Sequence, residues 1–198
     1  MLHSIDNIAD SCSLSFDNFV SFMKMFEAEI KSRKIVITFD DGYESVYTRC
    51  FPIFKEKQIS FMCFVVPDFL NKKGYLSEPQ LSEMLATGLL EIGSHGQTHK
   101  ILNSLSAEEI KNEVCESKCF LEKTFGSPVS SFAYSHGIFN KTTIDLLKKV
   151  GYEFAFIASA NLRDFLIINR YKIPRYNLKD DTFVDVVKEI GFYEKKSI

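Results

Sequence analysis

The sequence predicts an α/β fold, with a parallel sheet curled into an incomplete or distorted barrel and a single domain over residues 1–198. Short apolar runs alternate with helical patterns along the chain, which favours parallel strands joined by helices. No repeat, linker or charge block divides the sequence. About six or seven strands are too few for a complete eightfold barrel.

The order of the elements follows from hydrophobic periodicity. Runs rich in β-branched and aromatic residues predict strands over 35–39, 61–66, 89–93, 131–134 and 154–158. Helical spacing predicts helices over 15–31, 44–56, 78–88, 107–125, 141–150 and 181–190. Pro52 predicts a break in the second helix, and Ser106 with Glu109 predicts a capping box at the start of the fourth.

Composition and charge exclude several classes of protein. The chain is 45% hydrophobic with a net charge of −2, which argues against disorder and against a general affinity for nucleic acid. No apolar stretch is long enough for stable membrane insertion, and the first residues do not resemble a signal peptide. The five cysteines are scattered, as is typical of reduced thiols. We therefore expect a cytoplasmic location.

Polar residues follow three of the predicted strands. Asp40 and Asp41 end the first, His95 ends the third, and Ser135 and His136 follow the fourth. In parallel βα folds ligands bind at the carboxyl ends of the strands. The sequence thus predicts a functional site at this edge.

His95 and His99 stand four residues apart and would share one face if the segment made a helical turn. With a carboxylate from another strand end they would form a His₂–Asp set, which leaves coordination positions open as catalytic zinc sites do. The alternative is a pair of surface or capping histidines.

The neighbouring carboxylates of Asp40 and Asp41 raise each other's pKa unless a cation is present. A plausible division of labour makes the first a general base and the second a metal ligand. The alternative is an ordinary Asp-Asp-Gly turn.

Together these segments resemble the polysaccharide deacetylase (NodB-homology) family. The resemblance rests on Thr38-Phe39-Asp40-Asp41-Gly42-Tyr43, on Ser94-His95-Gly96-Gln97-Thr98-His99, and on 131–137 as a third motif. All motifs lie within residues 34–176. The resemblance implies a (β/α)₇-type barrel and one divalent metal, expected to be zinc, bound by Asp41, His95 and His99. It also implies that Asp40 is the base and that a backbone N–H near Ser135 and His136 stabilises the oxyanion.

The sequence departs from the family pattern in two places. Ser135 and His136 stand where the third motif usually has Pro and then Tyr or Phe, so we expect a looser loop. No histidine follows His136, although many members have a C-terminal histidine as general acid. His136 could be the acid, or it could only line the groove while a metal-bound water or Asp40 returns the proton. The third motif also lacks an arginine, so Arg175, with Arg170 as second candidate, is expected beside Asp40. A surface salt bridge is the alternative.

The sequence therefore predicts a metal-dependent hydrolase that removes an N-acetyl group from an amino sugar in glycan or surface-polysaccharide biosynthesis. Its catalytic residues would be Asp40, His136 and Arg175. The expected partner is an N-acetylated sugar or a lipid- or nucleotide-linked saccharide. Two alternatives stay open: hydrolysis of another amide or an O-acetyl ester, and a non-catalytic carbohydrate-binding relative.

Overall fold

The computed structural model describes residues 1–5, 13–158 and 169–196, and its centre is a parallel sheet of five strands in sequence order. The strands are β1 (Ile37–Phe39), β2 (Phe61–Val65), β3 (Leu90–Ser94), β4 (Ser131–Ala133) and β5 (Phe154–Phe156). Every neighbouring pair is parallel. The α/β prediction is confirmed.

Alternate residues of the strands face two different environments. On β2, Phe61, Cys63 and Val65 join the main core, which packs against the helices. Met62 and Phe64 instead form a smaller cluster with Ala133 and Phe156 on the concave side. The sheet is therefore covered on both faces, which explains why its strands are apolar throughout.

Two short segments extend the curled sheet beyond its edge strands. Leu2 pairs in parallel with Phe39 of β1, and Ile173 pairs in parallel with Phe156 of β5. The two segments meet where the Leu178 N–H donates to the Met1 carbonyl at 2.9 Å. These contacts join β1 to β5, and the result is the distorted barrel that the sequence predicted.

Seven helices accompany the strands in the described residues: α1 (Phe16–Met25), α2 (Glu27–Lys31), α3 (Phe51–Lys57), α4 (Glu78–Ala86), α5 (Ala107–Phe125), α6 (Lys141–Val150) and α7 (Phe183–Lys196). The capping box at α5 is confirmed, since Ser106 Oγ accepts from the Glu109 N–H and Glu109 accepts from the Ser106 N–H.

Two helix boundaries differ from the prediction. The helix predicted over 15–31 is divided at Phe26, whose φ of −116° and ψ of 24° lie outside the helical range. The helix predicted over 44–56 changes type next to Pro52, from a π-helical turn over Val46–Cys50 to α3, whose first turn contains the proline. A proline in a first turn removes no hydrogen bond that the helix needs.

Four of the five cysteines lie among the described residues. Cys50, Cys63, Cys115 and Cys119 are free thiols, and Cys12 lies outside the described residues. Within the described ranges no helix combines the length and apolarity that a membrane span requires.

Candidate active site

Asp41, His95 and His99 meet at the carboxyl edge of the sheet. Each offers one ligand atom, and these atoms all lie within 4.8 Å of one another. Asp41 follows β1, and His95 and His99 follow β3. The structure thus brings together the three residues for which the sequence predicted a shared role.

Asp40 and Asp41 face the same site because the backbone changes from an extended to a left-handed conformation at Asp41. Successive residues of a strand point to opposite faces, so an extended chain would separate the two carboxylates. Asp41 instead has a φ of 67°, in the left-handed region that Asp tolerates better than most residues. The following Gly42, with a φ of 80°, continues the turn.

The segment that carries His95 and His99 is a loop, so the two residues do not share one face of a helical turn. Gly96 has a φ of 81° and His99 a φ of 64°, values that no right-handed helix contains. The loop still brings both rings to Asp41. His99 Nε2 lies 3.2 Å and His95 Nε2 3.5 Å from Asp41 Oδ1.

The chemistry of these three groups fits a divalent cation. The His95 Nδ1–H donates to the Ala133 carbonyl at 2.8 Å, so its Nε2 presents a lone pair to the site. Burial lowers the pKa of His95 to about 4, which keeps the ring neutral at pH 7. Asp41 Oδ1 is buried and receives no hydrogen bond from any described residue. Electron-rich atoms that face one another without a donor are what a metal ion would stabilise.

Burial also acts on Asp41 itself, because it disfavours the ionised form. Together with the nearby Asp40 charge it raises the pKa of Asp41 from 3.8 to about 6, although His3 and His136 act in the opposite direction. In the metal-free protein at neutral pH, the ionised Asp41 is therefore a buried charge that lowers the free energy of unfolding.

In the metal-free protein, Asp41→Asn is expected to raise the free energy of unfolding at pH 7.5. A pKa that folding raises from 3.8 to about 6 corresponds to at most about 3 kcal/mol. Because Asp41 binds its proton more tightly in the folded than in the unfolded wild type, its protonation stabilises the fold. This contribution to the free energy of unfolding is fully present below roughly pH 4 and is lost as the pH rises through 6. Urea unfolding with a chelator should show a gain at pH 7.5 that shrinks towards pH 4. Equal stabilities at pH 7.5 would contradict this account.

Asp40 forms a buried ion pair with Arg175. Arg175 Nη1 lies 2.7 Å from Asp40 Oδ1 and Nη2 2.8 Å from Oδ2, and Nη1 also donates to Thr38 Oγ1 at 3.3 Å. Burial alone would raise the pKa of Asp40, but the charge and hydrogen bonds of Arg175, helped by His95, hold it well below its usual range. Arg175 thus keeps Asp40 ionised and oriented.

Arg175 reaches Asp40 from the concave side of the sheet. Its guanidinium lies over the rings of Phe64 and Phe156, at 5.1 and 5.8 Å from their centroids. The second candidate, Arg170, is exposed and lies over the Phe154 ring. Of the two predicted cations, Arg175 is the one that the structure brings to the site.

His136 lies at the rim of the site. Its side chain is exposed, and its ring centroid is 4.6 Å from that of His99. The buried Ser135, which stands where the family has proline, donates its hydroxyl to the His95 carbonyl at 2.9 Å and so ties the loop after β4 to the loop after β3. His136 therefore borders His99 from the solvent side.

His3 is a site residue that the sequence analysis missed. It follows Leu2, which pairs with Phe39, and therefore ends its short segment at the same edge as Asp40 and Asp41. Its charge lowers the pKa of both aspartates. His3 Nδ1 is buried and has no hydrogen-bond partner among the described residues. No motif in the sequence marks His3, because it reaches the site only through the pairing of Leu2 with Phe39.

Aromatic rings continue outward from His99. The Phe69 ring lies 5.8 Å from His99, Tyr75 lies 4.7 Å from Phe69, and Tyr43 stacks on Tyr75 at 5.1 Å. All three side chains are half-buried. A backbone bridge between Tyr43 and Tyr75 ties together the loops that follow β1 and β2. The site thus opens onto an aromatic strip, defined by Tyr43, Phe69 and Tyr75.

Sequence comparisons match this chain to proteins with a known activity. A family model described as polysaccharide deacetylase matches residues 27–155. The poly-beta-1,6-N-acetyl-D-glucosamine N-deacetylase of Staphylococcus aureus strain MSSA476 is 27% identical over 205 residues. That match covers 94% of this chain and 68% of the relative.

Solved structures share the fold. The Streptococcus pyogenes deacetylase PplD, in complex with acetate, superposes with a TM-score of 0.80 at 16% identity, over 95% of both chains. IcaB from Ammonifex degensii gives a TM-score of 0.77 at 21% identity, over 94% of this chain and 93% of the other.

Proposed function

The chain belongs to the polysaccharide deacetylase family, and from that premise and the site geometry we propose that it hydrolyses the N-acetyl group of N-acetylglucosamine units in a glycan chain. The products are acetate and a free amine. The observation that carries the proposal is the environment of Asp41 Oδ1. This buried oxygen accepts no hydrogen bond from a described residue and faces one nitrogen each of His95 and His99. The ion pair of Asp40 and Arg175 lies beside it. A module that only binds carbohydrate has no use for such an oriented second carboxylate.

Asp41, His95 and His99 would hold the metal ion, and we propose zinc. Two neutral imidazoles and one carboxylate are the ligand types that zinc accepts, and three protein ligands leave room for substrate. When bound, the ion supplies Lewis acidity that polarises the acetyl carbonyl and makes water more acidic.

Asp40 is the proposed general base. It takes a proton from the attacking water, whose oxygen forms the new bond to the acetyl carbon. Its Oδ2 lies 3.9 Å from His95 Nε2, so the carboxylate borders the same space as the metal ligands. Arg175 restrains both oxygens and acts as a positioning residue.

His3 is the proposed general acid. The C–N bond breaks only if the departing nitrogen receives a proton. His3 is half-buried at the same edge of the sheet, its charge acts on both aspartates, and its buried Nδ1 has no hydrogen-bond partner among the described residues. A backbone N–H near Ser135 and His136 would stabilise the oxyanion. The exposed His136 then contributes to substrate binding at the rim.

A polymeric substrate is supported by the aromatic strip and by the relatives. Half-exposed rings beside a catalytic centre suit the apolar faces of sugar rings. The Staphylococcus aureus relative acts on poly-β-1,6-N-acetyl-D-glucosamine, and PplD holds acetate, the expected product. A lipid- or nucleotide-linked saccharide is the narrower alternative, and the cytoplasmic location stays a prediction.

Acetate release separates these substrates. Zinc-loaded protein is expected to release acetate from β-1,6-linked N-acetylglucosamine oligomers and to act less well on a nucleotide-linked N-acetylglucosamine or an O-acetyl ester. His99→Ala is the matched control for contaminating hydrolases. Preferred turnover of the nucleotide sugar would replace the polymer as substrate, and preferred turnover of the ester would overturn the N-deacetylase assignment.

A further inference from the structure

Glu113 is a buried carboxylate that contacts the loop between the two metal-binding histidines. It lies on α5 and is only 6% exposed. Its Oε2 accepts from the Thr98 N–H at 2.9 Å, and its Oε1 accepts from the Thr98 hydroxyl at 2.5 Å. Both oxygens thus bind the residue directly before His99.

A second contact ties the other end of the same loop to α5. Ser117, one helical turn after Glu113, shares a hydrogen bond of 2.7 Å with Ser94, whose hydroxyl also accepts from the Gly96 N–H. At Gly96 an added Cβ would lie 3.1 Å from Glu113 Oε2, so the loop backbone packs closely on the carboxylate. The α5 helix therefore holds the loop both before His95 and before His99.

Burying the Glu113 carboxylate lowers the stability of the fold unless its hydrogen bonds to the loop compensate for the lost hydration. A buried carboxylate is stabilised most simply by a cation, yet Glu113 forms no ion pair within the described residues. His99, next to Thr98, holds a left-handed backbone that a non-glycine residue adopts only when its surroundings enforce it. The two Thr98 hydrogen bonds supply that enforcement.

We propose that Glu113 is a positioning residue of the metal site. By holding Thr98 it keeps His99 in its left-handed conformation, so that His99 Nε2 stays 3.2 Å from Asp41 Oδ1. The inference rests on the proposed function, because it assumes that these residues bind zinc. Groups that orient metal ligands typically change metal affinity by about 10- to 100-fold when they are lost.

The test is the zinc dissociation constant, measured by competition with a chromophoric chelator. Glu113→Gln keeps the side-chain volume but removes the charge that strengthens both hydrogen bonds to Thr98. It also turns one acceptor into an N–H₂ group, so the Thr98 hydroxyl has to rotate and accept instead of donating. We expect zinc binding to weaken by about 10-fold or more. Glu116→Gln, on the exposed face of the same helix, is the matched control and should bind zinc like the wild type.

Thr98→Val provides an independent variant that removes the hydroxyl donor and leaves the backbone N–H. It should weaken zinc binding less than Glu113→Gln does. In the double variant, the zinc dissociation constant should rise by less than the product of the two single-variant increases, since both changes act through the same contact. It also serves if Glu113→Gln does not fold. A purely structural role would instead lower the melting temperature of the metal-free protein and leave the zinc affinity of the folded variant unchanged.

The outcomes separate this inference from the proposed function. Wild-type zinc affinity in a folded Glu113→Gln, or in Thr98→Val if the former does not fold, would overturn the positioning role and leave the metal site in place. A wild-type protein that binds no zinc would overturn both. Weaker binding in Glu113→Gln with an unchanged Glu116→Gln would support both.

Discussion

Replacing Asp40 by Asn is expected to lower kcat for acetate release by about 10³-fold while zinc stays bound. A positioned general base contributes typically about 10²- to 10⁴-fold, and Asn cannot accept the proton. Zinc should remain because the three ligand atoms that converge come from Asp41, His95 and His99. The measurements are kcat on N-acetylglucosamine oligomers and zinc content by elemental mass spectrometry.

The Asp40→Asn variant needs a control for stability, because it leaves the buried Arg175 without its anion. Removing one partner of a buried ion pair can cost about 3 to 5 kcal/mol, so kcat should be measured well below the melting temperature of the variant. Normal turnover would exclude Asp40 as the base. Loss of zinc together with turnover would instead make Asp40 a metal ligand.

The second large effect is expected at His3. If His3 is the general acid, His3→Ala should lower kcat by about 10²-fold or more, since the leaving nitrogen would depart without a proton. His3→Ala should keep its zinc, because His3 is not among the three converging ligands. The test becomes sharper when kcat is also measured on an N-acetyl substrate with a better leaving group, such as an acetanilide. The loss in kcat should be smaller on this substrate than on the sugar, because a better leaving group depends less on an acid.

His136→Ala is the matched comparison. His136 is exposed at the rim, whereas His3 is half-buried and its Nδ1 atom is buried. We expect His136→Ala to raise KM and to change kcat by less than about 10-fold. The reverse pattern, a large loss in kcat at His136 and a near-normal His3→Ala, would return the acid role to the third motif.

Local patterns in the sequence were sufficient for the sheet and for most of the site. Buried parallel strands are apolar throughout, so runs such as the one ending at Phe39 can be recognised without knowing their partners. Because parallel strands end at one edge, the polar residues after them had to converge, as Asp41, His95 and His99 do. Capping at Ser106 is equally local and was predicted correctly.

Features that depend on distant contacts could not be predicted in this way. His3 joins the site only because the first residues pair with β1 and reach Leu178, far along the chain. The left-handed conformation of His99 is enforced by Glu113, on a helix that follows it, so the spacing of the two histidines could not predict the shape of their loop. Arg175 could be named because the third motif lacks the arginine of the family pattern, but its bidentate geometry with Asp40 could not be predicted.

The measurement that tests the central claim most directly is the zinc content of the purified wild-type protein and of His99→Ala, each after zinc loading and removal of excess metal. The account predicts about one equivalent in the wild type, since one set of three ligands converges in the described residues, and a large loss in the variant. No retained zinc in the wild type, or equal zinc in both proteins, would contradict a metal centre at Asp41, His95 and His99.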